Sequence, residues 1–303
     1  MKNIIKNIAL VCLLVIGGYG IFLRVSSRDS LDTNSGKLSV VTTFYPLAYL
    51  AEQIGKDAAL VTNLTPPGVE PHDFDPTPQD VARLHESELF FYNGAGFESW
   101  VPKLLPELGA VRSVDVSAGL DLLTTPEGAF DPHVWLDPVL YSAQADVIAR
   151  TMQEVDPERA ELFTKNARVL KQHLTELHED FSKGLASCKR RDIVTSHSAF
   201  EYLAKRYNVR MISISGLSPD EEPTPARLAE ISDFVQGNDV RYIFFETLVS
   251  PRLAETIARE TGAQTISFNP LEGLSEEELL QGKDYISVQR ENLQALRTAL
   301  ECI

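Results

Sequence analysis

Residues 157–183 place the tightest constraint on how this chain can fold. The apolar positions Ala160, Phe163, Ala167, Leu170, Leu174, Leu177 and Phe181 are separated by alternating steps of three and four. Such spacing keeps a single apolar seam on one face of an α-helix for about seven turns. Asp156 followed by Pro157 reads as its start signal. At about 1.5 Å per residue the helix would span roughly 40 Å. A helix of that length between two halves acts as a stiff strut rather than a hinge.

On both sides of it, apolar runs alternate with helical patterns. LSVVTTF, AALVTNL, ELFFYN and AVRSVDV read as strands before the long helix, and RDIVTS, VRMISI, RYIFFE and AQTISF as strands after it. PLAYLAEQIG reads as a helix between the first two strands. In TPQDVARLHES, Thr77 is placed to cap a helix whose first position is Pro78. Alternation of this kind predicts an α/β fold, with a mostly parallel sheet flanked by helices in each of two lobes. At 303 residues the chain has room for about two domains with proper cores. The expected layout is an N-terminal segment at 1–24, a polar linker at 25–37, an N-terminal α/β lobe at 38–155, the linking helix at 156–184 and a C-terminal α/β lobe at 185–303. Short-period repeats and low-complexity tracts are absent from the sequence.

The formal net charge is −15, from 28 basic and 43 acidic residues. Nothing in that balance would neutralise nucleic-acid phosphates, so binding to nucleic acid is excluded as an expectation. An acidic surface suits solubility and attracts cations. Lys2 and Lys6 precede the almost uncharged stretch IALVCLLVIGGYGIFL, which ends at Arg24. This is the layout of an export signal. The stretch is short for a membrane span of about 20 residues and is interrupted by Gly17, Gly18 and Gly20. Cleaved signal and retained anchor both remain open, with the folded part outside the cytoplasm in either case. Cys12 follows Val11 inside the apolar run, which argues against lipidation there. In an oxidising compartment Cys188 and Cys302 form either a disulfide or two separate thiols.

Three of the six histidines occupy loops or strand ends. His72 lies among Pro66, Pro67, Pro71, Pro76 and Pro78, so its segment cannot join a helix or a central strand. His133 stands between Asp131–Pro132 and Trp135. Carboxylates nearby could hold its second ring nitrogen, although Asp137 also suits a helix N-cap. His197 follows the strand DIVTS, and the carboxyl ends of parallel strands face the crevice where such folds bind ligands. Imidazole is the commonest protein ligand for zinc, so these three form a candidate metal site lying between the lobes. Glu272 in SFNPLEGL is the best-placed fourth ligand, and Glu246 is a second possibility. Three imidazoles and a carboxylate suit tetrahedral zinc, whereas manganese prefers more oxygen. His85, His173 and His178 fall on polar faces of helices and read as solvated.

The chain resembles the metal-binding receptors of bacterial ABC importers for zinc and manganese, in the group whose lobes are joined by one long helix. The segments TTFYPL, GVEPHDFDPTPQD, NGAGFESW, DPHVWLDP, VTSHSAFEYLAKRY, SPDEEPTPARL, FFETLVSP and NPLEGLSEEELLQGKDYISVQRENLQAL carry the resemblance over nearly all of 38–303. It implies that His72 and His133 are the first two ligands. It also implies a third at His197, where histidine rather than glutamate points to the zinc branch. The family's usual fourth ligand is an aspartate before Pro-Leu. Here that position is Asn269, and the NPLEG pattern of some zinc receptors shifts the role to Glu272. The stretch DLLTTPEGAFD contains no histidine, so the His-rich loop of many zinc receptors is missing. The implied job is capture of zinc as a monomer and its delivery to a membrane permease with a cytoplasmic ATPase. Loading would alter loops and small tilts rather than close a wide hinge.

Three other readings stand beside this one: a manganese receptor of the same family, a zinc hydrolase, and a surface adhesin. The hydrolase needs an open metal position for water, and the chain has no HExxH helix. No catalytic role is expected.

Overall fold

The computed structural model describes residues 36–303. The expected export or anchor segment at 1–24, Cys12 included, and nearly all of the linker at 25–37 lie outside the described residues. Among the described residues no helix is long and apolar enough to cross a membrane.

The first sheet contains β1 (Leu38–Thr42), β2 (Ala59–Asn63), β3 (Leu89–Tyr92) and β4 (Arg112–Asp115), in the order β2-β1-β3-β4. Every pairing is parallel. Parallel neighbours need crossover connections, and α1 (Tyr45–Gly55) and α2 (Pro78–His85) supply two of them. Val40, Leu89, Phe90 and Phe91 are all fully buried, as expected for strands covered on both faces. Thr77 caps α2 as predicted, and with Asp80 it forms a reciprocal capping box. A single helical turn, α3 (Val101–Leu104), and then α4 (Pro138–Val155) complete this half.

The long helix is α5 (Ala160–Gly184). It starts slightly later than the sequence predicts, because Pro157–Arg159 forms a 3-10 turn in which the Asp156 side chain accepts the Arg159 N–H. Six of the seven seam residues are buried; Ala160, in the first turn, is half-buried. Toward the first sheet, Asn166 Nδ2 donates to the Ile54 carbonyl of α1 at 2.9 Å. Toward the second half, Asp180 accepts from Arg290 of α10 (Tyr285–Ala299) at 3.3 Å.

One apolar core runs from Leu38 and Val40 through Phe163, Leu174 and Phe181 to Phe244 and Phe268. Each such side chain contributes about 1.5–3 kcal/mol on burial. The helix is therefore part of the core and not a tether.

The second sheet repeats the first. It contains β5 (Asp192–Thr195), β6 (Arg210–Ser213), β7 (Tyr242–Phe245) and β8 (Gln264–Ser267), in the order β6-β5-β7-β8 and all parallel. Helices α6 (Glu201–Tyr207), α7 (Pro225–Gly237) and α8 (Arg252–Thr261) connect the strands, and α9 (Glu276–Leu280) precedes α10. In each sheet the strand order reverses beside its first strand, which opens a crevice at the carboxyl ends. Cys188, just beyond α5, is bonded to Cys302, which resolves the open question of the two thiols in favour of a bridge. It closes a separation of 114 residues and pins the end of the chain to the exit of the long helix.

Candidate metal centre

Each proposed ligand follows a strand. His72 comes from the Pro-rich loop after β2, His133 from the segment after β4, His197 from two residues beyond β5, and Glu272 from the loop after β8. One ligand atom from each lies within 4.8 Å of all the others. The Nε2 atoms of His72, His133 and His197 lie 3.2, 3.4 and 3.2 Å from Glu272 Oε1. His133 Nε2 is 3.4 Å from His72 Nε2 and 3.3 Å from His197 Nε2. Ligands bound to one zinc ion at about 2.0–2.1 Å in tetrahedral array are roughly 3.3 Å apart. Five of the six edges thus match that polyhedron.

The groups behind the imidazoles set their orientation. His133 Nδ1 lies 2.8 Å from Asp131 Oδ1, and His197 Nδ1 lies 2.7 Å from Glu246 Oε1. A carboxylate accepting at Nδ1 leaves the Nε2 lone pair of the neutral ring facing inward. Glu246, the second possibility for the fourth ligand, therefore stands behind His197 and outside the ligand cluster. Asp137 is a helix cap, accepting the Val139 N–H, and it also pairs with Arg206. Asp131 takes the role behind His133.

Burial opposes a charge on His197, but the carboxylates of Glu246 and Glu272 outweigh it and hold the imidazole well above its ordinary range. Burial acts likewise on His133, where the bonds to Asp131 and Glu272 prevail and raise it. His72 is lowered, because there burial wins. Burial would raise Glu272, yet His197 and the other imidazoles hold it well below the usual carboxylate range. The second Glu272 oxygen, Oε2, is buried without a hydrogen-bond partner. A buried carboxylate oxygen left unpaired is costly. A cation seated among the four converging atoms would offset the Glu272 charge that burial opposes.

Glu70 goes unrecognised in the sequence, and NGAG enters only as part of the family resemblance, without a structural role. Glu70 accepts the His72 N–H at 3.1 Å, and burial followed by the charge on Glu272 pushes its carboxyl up to about 9. Its only sequence signal is an acidic residue two positions before His72. In the NGAG turn, Gly94, Ala95 and Gly96 all have positive φ, and the buried Glu98 carboxylate holds the turn by accepting the Asn93 and Gly94 N–H groups. The turn delivers Phe97, whose ring centroid lies 4.7 Å from that of His72. A cavity of about 620 Å³ opens beside His72, bordered by Phe97, Phe130, Leu217 and Glu221. Of the histidines read as solvated, His85 and His173 are exposed. His178 is half-buried and bonded to the Tyr207 hydroxyl at 3.0 Å, a correction to its reading.

The family model for ZnuA, described as zinc-uptake complex component A, periplasmic, matches residues 40–299. The chain belongs to this family. It is 37% identical over 305 residues to the high-affinity zinc uptake system protein ZnuA of Bacillus subtilis (strain 168), covering 95% of each chain. It is also 37% identical to the zinc-binding lipoprotein AdcA of Streptococcus pneumoniae (strain ATCC BAA-255 / R6), over 98% of this chain and 61% of that longer protein. Among solved structures, the Zn(II)-bound ZnuA-like domain of Streptococcus pneumoniae AdcA superposes with a TM-score of 0.78. That match has 41% identity and covers 88% of this chain and all of that domain. The two-lobed ZnuA-family fold, with one parallel four-stranded sheet in each lobe, is thus the fold of this chain.

Proposed function

We propose that this chain is an extracytoplasmic zinc receptor that binds one Zn²⁺ between its lobes and delivers it to an ABC importer. The cargo is held by His72, His133, His197 and Glu272. The near-tetrahedral spacing of their four inward atoms carries this reading. Three nitrogens and one oxygen favour zinc over manganese, which prefers a larger, oxygen-rich set. Four converging protein ligands also leave no position assigned to a catalytic water, as a zinc hydrolase would require. The family is one of metal-uptake components and not of enzymes.

Binding follows from the ligand chemistry. Asp131 and Glu246 hold the Nδ1 protons of His133 and His197, so zinc meets Nε2 lone pairs already aligned. Protons on Nε2 leave as the metal enters. Glu272 supplies the one negative charge among the ligands. In this reading residues 38–155 and 185–303 are the lobes, 156–184 the link, and 1–24 the export or anchoring segment. The partners are a membrane permease and its cytoplasmic ATPase, and the receptor works as a monomer.

Competitive titration against a chromophoric zinc chelator, with elemental analysis of the purified protein, tests the proposal. One zinc per chain at high affinity is expected, with manganese binding much weaker. Zinc binding that survives unchanged in His133→Ala would end it.

A further inference from the structure

Glu272 reaches the centre from a loop with an uncommon backbone. Leu271 is fully buried and has φ +56°, a left-handed conformation that a bulky side chain rarely adopts. Asn269 holds it there: its Oδ1 accepts the Leu271 N–H at 2.7 Å, closing an Asx turn over Pro270. The remaining polar groups of Asn269 are also engaged. Its backbone N–H donates to Asn292 Oδ1 at 2.9 Å, and its carbonyl accepts from Asn292 Nδ2 at 2.7 Å. Its Nδ2 donates to Thr247 Oγ1 at 3.1 Å and to Glu278 Oε1 at 3.2 Å.

A side-chain amide can donate two hydrogen bonds as well as accept on its oxygen, and this position uses both donors and the acceptor. An aspartate would offer no donor to Thr247 and would set a second carboxylate against Glu278. Thr247 directly follows Glu246, which orients His197. Asn269 therefore joins the segment behind one ligand to the loop that carries another. It is not among the four atoms that converge.

We propose that Asn269 is a positioning residue for the metal centre, holding Leu271 in the left-handed turn that aims the Glu272 carboxylate at the three imidazoles. This rests on the zinc-receptor reading above.

Zinc affinity and the absorption spectrum of the cobalt-substituted protein, measured for Asn269→Ala, Glu272→Ala and the double variant, test it. Asn269→Ala is expected to weaken zinc by about 10–100-fold, the scale of a lost partner behind a ligand. Its cobalt spectrum should match that of Glu272→Ala. The double variant should bind no more weakly than Glu272→Ala alone. Asn269→Asp, which keeps the acceptor for Leu271, should recover the wild-type cobalt ligand set with intermediate affinity. A wild-type spectrum in Asn269→Ala, or losses that multiply in the double variant, would overturn the proposal. If circular dichroism shows Asn269→Ala unfolded, Asn269→Asp combined with Glu272→Ala decides: a spectrum and affinity equal to those of Glu272→Ala alone support the proposal, and a restored fourth ligand, which would mean that position 269 reaches the metal rather than the Leu271 N–H, overturns it. Failure of the receptor reading would show separately, as a wild-type protein that takes up no zinc.

Discussion

Trp135 donates its indole N–H to the carbonyl of Pro270 at 2.8 Å, across the boundary between the two halves. Trp135 lies two positions after His133, and Pro270 two before Glu272. The proposed ligands His133 and Glu272, from opposite halves, are thus tied by a direct bond between residues two positions from each. The Tyr285 hydroxyl reinforces it by donating to the Trp135 carbonyl at 2.5 Å.

Replacing Trp135 with Phe keeps an aromatic ring and removes the donor. Both Trp135 and Pro270 are buried, so the carbonyl is left without a partner. The expected cost is about 1–3 kcal/mol of stability, read as a lower urea midpoint. Zinc affinity should fall as well, because the bond holds Glu272 in register with His133.

His197→Ala should weaken zinc by more than the roughly 10–100-fold typical of a partner behind a ligand, whereas His173→Ala should change nothing. Glu246→Gln belongs between them. It keeps an oxygen facing His197 Nδ1 but removes the charge, so a loss of about 10-fold is expected. Chelator competition on the three variants checks the order, and equal values for His197→Ala and His173→Ala would refute the site.

In the proposed site, protons and zinc would compete for the same Nε2 atoms. His133 and His197 are both held above the ordinary imidazole value of about 6.5, so each still carries a proton at pH values where a free imidazole has lost it. Zinc affinity should therefore keep rising with pH above 6.5 and fall steadily on acidification. Calorimetry in buffers of different ionisation enthalpy should register proton release on binding near neutrality. No release there would contradict the arrangement of Asp131, Glu246 and Glu272 around these rings.

Reducing the Cys188–Cys302 bond should lower stability by about 2–5 kcal/mol and leave zinc affinity almost unchanged. Cys188 precedes β5, whereas His197 follows it, so the bridge and the ligand lie beyond opposite ends of that strand, and the bridge acts mainly by restricting the unfolded chain. Thermal melts with and without reductant, each paired with a zinc titration, separate the two effects.

Much of this architecture was legible from local pattern. The three-four spacing from Phe163 to Phe181 is a property of sequence neighbours, and so are Thr77 with Pro78 and the β-rich runs that became the eight strands. His72, His133 and His197 were conspicuous because prolines and strand ends excluded ordinary surroundings for them. Relations across the fold were less legible. Asp131 and Asp137 flank His133 at two and four positions, and only the start of α4 decides which one caps and which one orients the ring. The work of Asn269 was hidden for the same reason, since Thr247, Glu278 and Asn292 are brought to it by three different elements. The charges that act on Glu70, those of Glu272, His197 and Glu246, likewise come from the half of the chain that its own loop does not belong to.

With one unbroken core passing through α5, the outer envelope of the molecule has little freedom to report whether cargo is aboard. Radius of gyration and hydrodynamic size should be nearly blind to loading. The indole of Trp135, whose ring centroid lies 5.1 Å from that of His133, sits where an optical signal would change. By the same argument, whatever distinguishes a full receptor from an empty one would be written in the few loops around that ring.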